Sequence, residues 1–382
     1  MHYLDHAATT PVLPEVKDAM LPFLEDDFGN PSSVHAAGRR AKQGVEDARD
    51  RIANAVDAHP AEIVFTGGGT DADNLALKGS AYKLRGNGNH IVTTAFEHHG
   101  VLGPLEWLGS QGFDVTTIQV GSSGVVDPGE IAGATGKATV LVSVMTVNNE
   151  IGTIQPIAEI VQAVKQANPN SLVHTDAVQA LGNIPVNLHA WGVDLAAFAA
   201  HKVGGPKGVG ALFVRSGVAL ESVTHGGGQE RGLRSGTLNV PGIAGFGVAA
   251  EIAAKEVDEK QDRLRTMRAR LLEGIKDSIP DVVVNGDLER RVAGNLNVCI
   301  PHAEGQIMLL LLDQAGIACS SGSACASGAM DPSHVLLAIG VAKALARGSL
   351  RFSLGRASTD EDVEAVLAVL PDVVAQARRV AA

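Results

Sequence analysis

Lys202 is the residue in this chain best placed for covalent chemistry. It follows an apolar, uncharged run, 195–200, that reads as a buried strand, and it precedes a Gly204-Gly205-Pro206 turn. An amine at the mouth of a core is desolvated, which disfavours its charged form, and such a lysine can act as a nucleophile and form a Schiff base. Taken alone it reads by default as a surface lysine that happens to follow a strand. Other strand ends add to it. Gly67-Gly68-Gly69-Thr70-Asp71 lies between a predicted strand, 62–66, and a predicted helix, 75–82. Such a turn lets backbone N–H groups approach a phosphate at a helix N-terminus, or is an ordinary tight turn capped by Thr70 or Asp71. It is neither a P-loop nor a dinucleotide fingerprint. His98 follows the strand 90–94, Asn149 follows 140–144, and Asp176 follows 172–175. With no H-E-x-x-H and no Cys–His ligand spacing, no metal is expected at His98. Asp176, a carboxylate near a buried lysine, needs a cationic partner, and a protonated ring nitrogen is one. A phosphate cup, a ring at His98, a carboxylate at Asp176 and an imine-forming lysine are what pyridoxal 5′-phosphate requires. Lys207, in a Gly-Pro-Lys-Gly turn, is expected to be solvated.

These residues need a scaffold, and the chain can build one. It has 382 residues, 45% hydrophobic and 19% charged, enough for about two or three domains. The formal net charge of -11 argues against nucleic acid or an anionic membrane as the main partner. No apolar run has the length of a membrane span, no signal peptide is seen, and three cysteines form no disulfide framework, so a reducing cytoplasm is expected. Short β-branched runs, the last at 210–214, alternate with amphipathic stretches such as 157–167. This is the pattern of a mainly parallel sheet covered on both faces. A single long helix is predicted over 250–279. Beyond it, strands at 295–300 and 349–354 and helices at 304–315 and 359–379 read as a smaller α+β domain.

The chain resembles the pyridoxal-phosphate-dependent cysteine desulfurases, the IscS/NifS-like group of the class V aminotransferase superfamily. The resemblance runs nearly end to end, through Leu4-Asp5-His6-Ala7-Ala8-Thr9-Thr10, Gly29-Asn30-Pro31, Gly69-Thr70, Glu97-His98, Asn148-Asn149-Glu150, Asp176-Ala177-Val178-Gln179, His201-Lys202, Arg234-Ser235-Gly236-Thr237, Ser321-Gly322-Ser323-Ala324-Cys325 and Arg351-Phe352-Ser353. It implies an aspartate-aminotransferase-type fold with a seven-stranded sheet: a large cofactor domain over 16–255, and a small domain made of 1–15 and 256–382. Lys202 would hold the cofactor, Asp176 would pair with its pyridine nitrogen, and His98 would stack on the ring and move protons. Gln179 and Asn149 would bond the ring-oxygen side; Gly69, Thr70 and His201 would bind phosphate. Thr237 would reach the phosphate of a neighbouring subunit, implying a homodimer. Arg351 and Asn30 would hold the substrate carboxylate.

Cys299 reads as core, Cys319 as buried, and Cys325 as an accessible thiol on a run of small residues. By resemblance Cys325 takes sulfur from L-cysteine as a persulfide, L-alanine leaves, and the sulfur passes to an acceptor protein, an iron–sulfur scaffold or a tRNA-thiolation enzyme. A selenocysteine lyase or another class V aminotransferase is the near alternative, and a non-catalytic sulfur-relay subunit the distant one. The chain departs from the family at Ala199, where a phosphate-bonding serine is usual, at Gly67-Gly68-Gly69 for Ser-Gly-Ala, and at Asp71 for Glu. It ends at Ala382, whereas longer members continue into a tail that helps dock the scaffold.

Overall fold

The computed structural model describes residues 1–321 and 332–381. In chain order its strands are β1 His2–Tyr3, β2 Ile63–Thr66, β3 His90–Thr94, β4 Asp114–Ile118, β5 Thr139–Ser143, β6 Leu172–Asp176, β7 Leu195–Ala199, β8 Gly210–Val214, β9 Val283–Val284, β10 Asn295–Cys299, β11 Ile317–Ala318 and β12 Ser349–Ser353. Seven of them form one sheet in the order β2-β8-β7-β6-β5-β3-β4. All its pairings are parallel except β2–β8 and β7–β8. The mainly parallel α/β sheet expected from the sequence is present.

The central strands β5, β7 and β8 are buried throughout, as continuous apolar runs demand when helices cover both faces. The helix Ile157–Ala167 buries Ile157, Ile160, Val161 and Val164, one stripe at helical spacing. Arg49 and Glu230 tie the loop after β8 to this core. Arg49 Nη1 and Nη2 donate to the Glu230 carboxylate at 2.9 and 2.8 Å, and the Phe65 N–H donates to it at 2.7 Å. Both side chains are buried.

A second core gathers Leu4, the helix Val257–Ser278, β10, β12 and the helix Asp360–Ala381. β1 pairs in parallel with β11, so the chain's start packs with its end. The helix expected over 250–279 is instead two: Val240–Lys255 and Val257–Ser278, broken at Glu256. The first packs on the helices Pro14–Leu24 and Ala36–Ala55, the second on Asp360–Ala381. Arg356 grips the Glu256 carboxylate at 2.8 and 2.9 Å where the direction changes. Two cores pulling on one amphipathic sequence override its helix propensity at the joint.

Candidate active site

β2, β3, β5, β6 and β7 all end at the same edge of the sheet, because β2 reaches β7 through two antiparallel pairings and the others are parallel to it. Gly69, His98, Asn149, Asp176 and Lys202 follow those ends in turn, where open α/β sheets gather ligands.

After β7 the chain makes a 3-10 turn, Ala200–Lys202. Lys202 Nζ donates to the carbonyls of Ala7 and Ala8 at 2.7 and 2.8 Å. Gln179 Nε2 donates to the same Ala7 carbonyl at 2.8 Å. The Thr10 hydroxyl donates to the His201 carbonyl at 2.8 Å, and Thr9 Oγ1 lies 3.1 Å from His201 Nδ1. An N-terminal loop therefore holds the lysine and its neighbours. Sequence reading missed these contacts, since backbone carbonyls leave no trace in residue type. Burial, then the charges of Lys202 and Lys207, lowers the His201 pKa to about 4, so its ring is neutral. Lys207 is exposed, as expected.

Asp176 is buried, accepting from the Val178 N–H at 2.9 Å. Burial raises its pKa, while His98, Val178 N–H and Lys202 oppose the rise. His98 precedes the helix His99–Ser110, and its Nδ1 accepts from the Gly100 N–H at 2.9 Å. That bond leaves the proton of the neutral ring on Nε2. Burial lowers the His98 pKa, against the pull of Asp176. Beneath lie two more buried acids that sequence reading did not pick out. Burial pushes Glu97 up to about 8, despite donors from Thr94 and Met145. Asp73 is raised well above its ordinary value by burial, Asp176 and Glu97. Among these three carboxyls, Asp176 is the one whose rise is opposed by the charges of His98 and Lys202.

The glycine turn is a cup. Its helix, Gly69–Leu84, begins after Gly68, whose φ is +151° and whose added Cβ would meet nothing within 4 Å. Only glycine tolerates that conformation, and it leaves the helix N-terminus open. The Gly67 N–H is spent on Asp71 Oδ2 at 2.7 Å, and Arg234 Nε lies 3.2 Å from the same oxygen. The N–H groups at the start of the helix and the Thr70 hydroxyl are what remains for a phosphate. Ala199 presents its methyl to the cup, 3.6 Å from an ideal Cβ on Gly69.

Arg351 is 2% exposed on β12. Its Nη2 donates to Asp5 Oδ1 at 2.7 Å and its Nη1 to the Asn149 carbonyl at 2.8 Å, while Nε and Asn149 Oδ1 are buried with no partner among the described residues. Asn30 is exposed and accepts within its own turn from Ser32 N–H at 2.9 Å. Thr237 is exposed. The single chain thus links Lys202, Gln179, Asp176, His98, Asn149 and Arg351, and leaves Asn30 and Thr237 outside that network. Cys299 is core, as expected, but Cys319 is half-buried, although burial still raises its thiol pKa to about 12. Cys325 lies outside the described residues. Among the described residues no cluster could hold a metal ion and no helix is long and apolar enough to cross a membrane.

The open cup, the buried Asp176 and the amine at Lys202 fit pyridoxal phosphate, and comparison with known proteins agrees. The aminotransferase class-V family profile matches residues 2–366, and the chain belongs to that family. Within it, the chain is a pyridoxal-phosphate-dependent cysteine desulfurase of the IscS/NifS type. A cysteine desulfurase IscS from Methanosarcina thermophila is 47% identical over 98% of this chain and 92% of its own length. A solved NifS-like protein superposes with a TM-score of 0.93 at 38% identity, over 98% of this chain and 99% of that one. The solved structure of SspA in complex with cysteine gives a TM-score of 0.83 at 34% identity, over 94% and 100%.

Proposed function

We propose that this chain takes sulfur from L-cysteine onto Cys325 and releases L-alanine. Bound pyridoxal 5′-phosphate supplies an electron sink for the substrate's α-carbon. Gly69, Thr70 and His201 hold its phosphate, Asp176 its ring nitrogen, Asn149 and Gln179 its ring-oxygen side, and Lys202 its aldehyde carbon. His98 covers the ring and moves a proton at Nε2, the nitrogen its Gly100 contact leaves protonated. Arg351 and Asn30 bind the substrate carboxylate. The Cys325 thiolate attacks the substrate sulfur; the S–S bond forms as the C–S bond breaks, and the leaving carbon takes up a proton to become alanine.

The observation that carries this reading is the convergence of Lys202, Asp176 and His98 at one sheet edge, beside a helix start cleared by glycine. The large unit is 16–255, with 1–15 and 256–382 forming the small one. In a homodimer Thr237 completes the partner's phosphate site. The sulfur goes on to an acceptor protein, an iron–sulfur scaffold or a tRNA-thiolation enzyme, in the cytoplasm. Cys325→Ser tests the step: alanine formation from cysteine should collapse while cofactor absorbance is retained. Undiminished alanine formation refutes Cys325 as nucleophile. Selenocysteine turned over faster than cysteine by both forms identifies a selenocysteine lyase instead.

A further inference from the structure

A cavity of about 110 Å³ lies behind Lys202, at the joint between the two cores. His98, Asp176, Gly69 and Thr70 do not line it, so it is not the cofactor cup; it meets the active site through Ala7, Lys202, Gln179 and Asn149. Its walls are mixed. Leu13, Ile252, Ala253 and Leu354 give it an apolar side, and Asn183, Glu256, Lys260 and Arg356 a polar one.

Charge on those walls does not balance. Lys202 is already engaged by the Ala7 and Ala8 carbonyls and by Asp176; the other cationic side chains are Lys260 and Arg356, and Glu256 is the one carboxylate among the lining residues. Glu256 is already taken, with both oxygens held by Arg356 at 2.8 and 2.9 Å. Arg263, the next cation along the helix, spends its donors on the carbonyls of Gly355, Arg356 and Ser358. Among the described residues the Lys260 ammonium has one hydrogen bond, a long one of 3.3 Å from Nζ to Asn183 Oδ1. Burial lowers its pKa to about 8, with Arg263 adding to the fall and the Glu256 carboxylate opposing it. Burial, then Lys260, brings His6 to about 4, so that wall adds no charge. A desolvated ammonium whose one side-chain hydrogen bond is long, and whose neighbouring carboxylate is shared with Arg356, is better satisfied when an anion joins it.

We propose that this cavity binds a small aliphatic monocarboxylate, its carboxylate on Lys260 and its apolar body against Leu13, Ile252, Ala253 and Leu354. Its anchor, Lys260, takes no part in the sulfur chemistry above. A molecule seated there touches both cores and the back of the Lys202 loop, so it stiffens the joint that carries the lysine.

Sodium butyrate is the probe, titrated calorimetrically into the holoenzyme, with Tm followed in parallel and sodium chloride as the ionic-strength control. The expected result is saturable binding and a raised Tm with butyrate alone. Lys260→Met and Lys260→Gln should each weaken binding about tenfold or more, the loss of an anchoring charge of roughly 1.4 kcal/mol or above. Arg351→Lys, which alters the substrate's carboxylate site, should leave it within about twofold. Unliganded Tm and cysteine turnover of the Lys260 variants report that they are folded. The proposal is overturned if folded Lys260 variants bind butyrate as the parent does, if Arg351→Lys abolishes binding, or if chloride gives the same heat and Tm shift.

Discussion

Ala199→Ser should tighten the hold on pyridoxal phosphate. Ala199 closes β7 with extended dihedrals, is 3% exposed, and points its methyl at the helix start beside Gly69. The Gly67 N–H is spent on Asp71, so the cup has lost a donor that a hydroxyl at 199 would restore. A hydrogen bond to a charged acceptor contributes about 1.5–3 kcal/mol. The expected gain is thus roughly 10- to 150-fold in cofactor Kd. Without the cofactor the same hydroxyl is a buried donor with poor partners, so the apoprotein should be equally or slightly less stable. Equilibrium dialysis of pyridoxal phosphate against apoprotein, with the apoprotein's Tm beside it, measures both. A Kd unchanged within twofold would show that the phosphate does not sit over Ala199, and would overturn the placement of the cup.

Glu230→Ala should strip Arg49 of its bidentate partner and leave a buried cation, costing about 3–5 kcal/mol. At about 2–4 °C per kcal/mol for a unit of this size, calorimetry should find Tm lowered by roughly 6–20 °C. Glu97 is raised to about 8 in the folded chain, so between its unfolded value near 4.5 and pH 8 the native state binds the extra proton. Its contribution to stability is full below that window and lost as pH rises through it. Glu97→Gln should therefore lose less Tm between pH 5 and pH 8 than the parent, and an identical loss would show that Glu97 is ionised when folded. Gly100→Ala gains helix propensity, but its Cβ would lie 2.9 Å from Asp73 Oδ2 and 3.0 Å from His98 Nδ1. We expect a Tm within a few degrees of the parent and kcat about tenfold lower, measured as alanine release.

Much of the site was legible because its residues are punctuation. Lys202 follows an apolar run with a sharp end, Asp176 closes a short strand, and β3 and β8 fall on the residues that the pattern marked. What escaped was made by backbone or by distance. The Ala7 and Ala8 carbonyls that receive Lys202 belong to no residue type, and Asp5 reaches Arg351 across almost the whole chain. The acids Asp73 and Glu97 sit inside ordinary helix and loop sequence, and only three-dimensional burial makes them unusual. The break at Glu256 was hidden because both flanking segments are good helices; the choice of partner core, not propensity, decides where the axis turns.

The loop that receives Lys202 also sets an order on biosynthesis. β1 needs β11 for its pairing, and the Ala7 N–H and His6 N–H need Ser353. The lysine leaves the ribosome about 115 residues before β11 and about 150 before Ser353, roughly 6–30 s at 5–20 residues per second. Through that interval the sheet can form while its reactive amine has no assigned place. A nascent chain stalled after the helix Val240–Lys255 should therefore have its sheet and first core yet a chemically promiscuous lysine, open to any aldehyde that meets it. Only the arrival of the final strand gives the enzyme control of its own lysine.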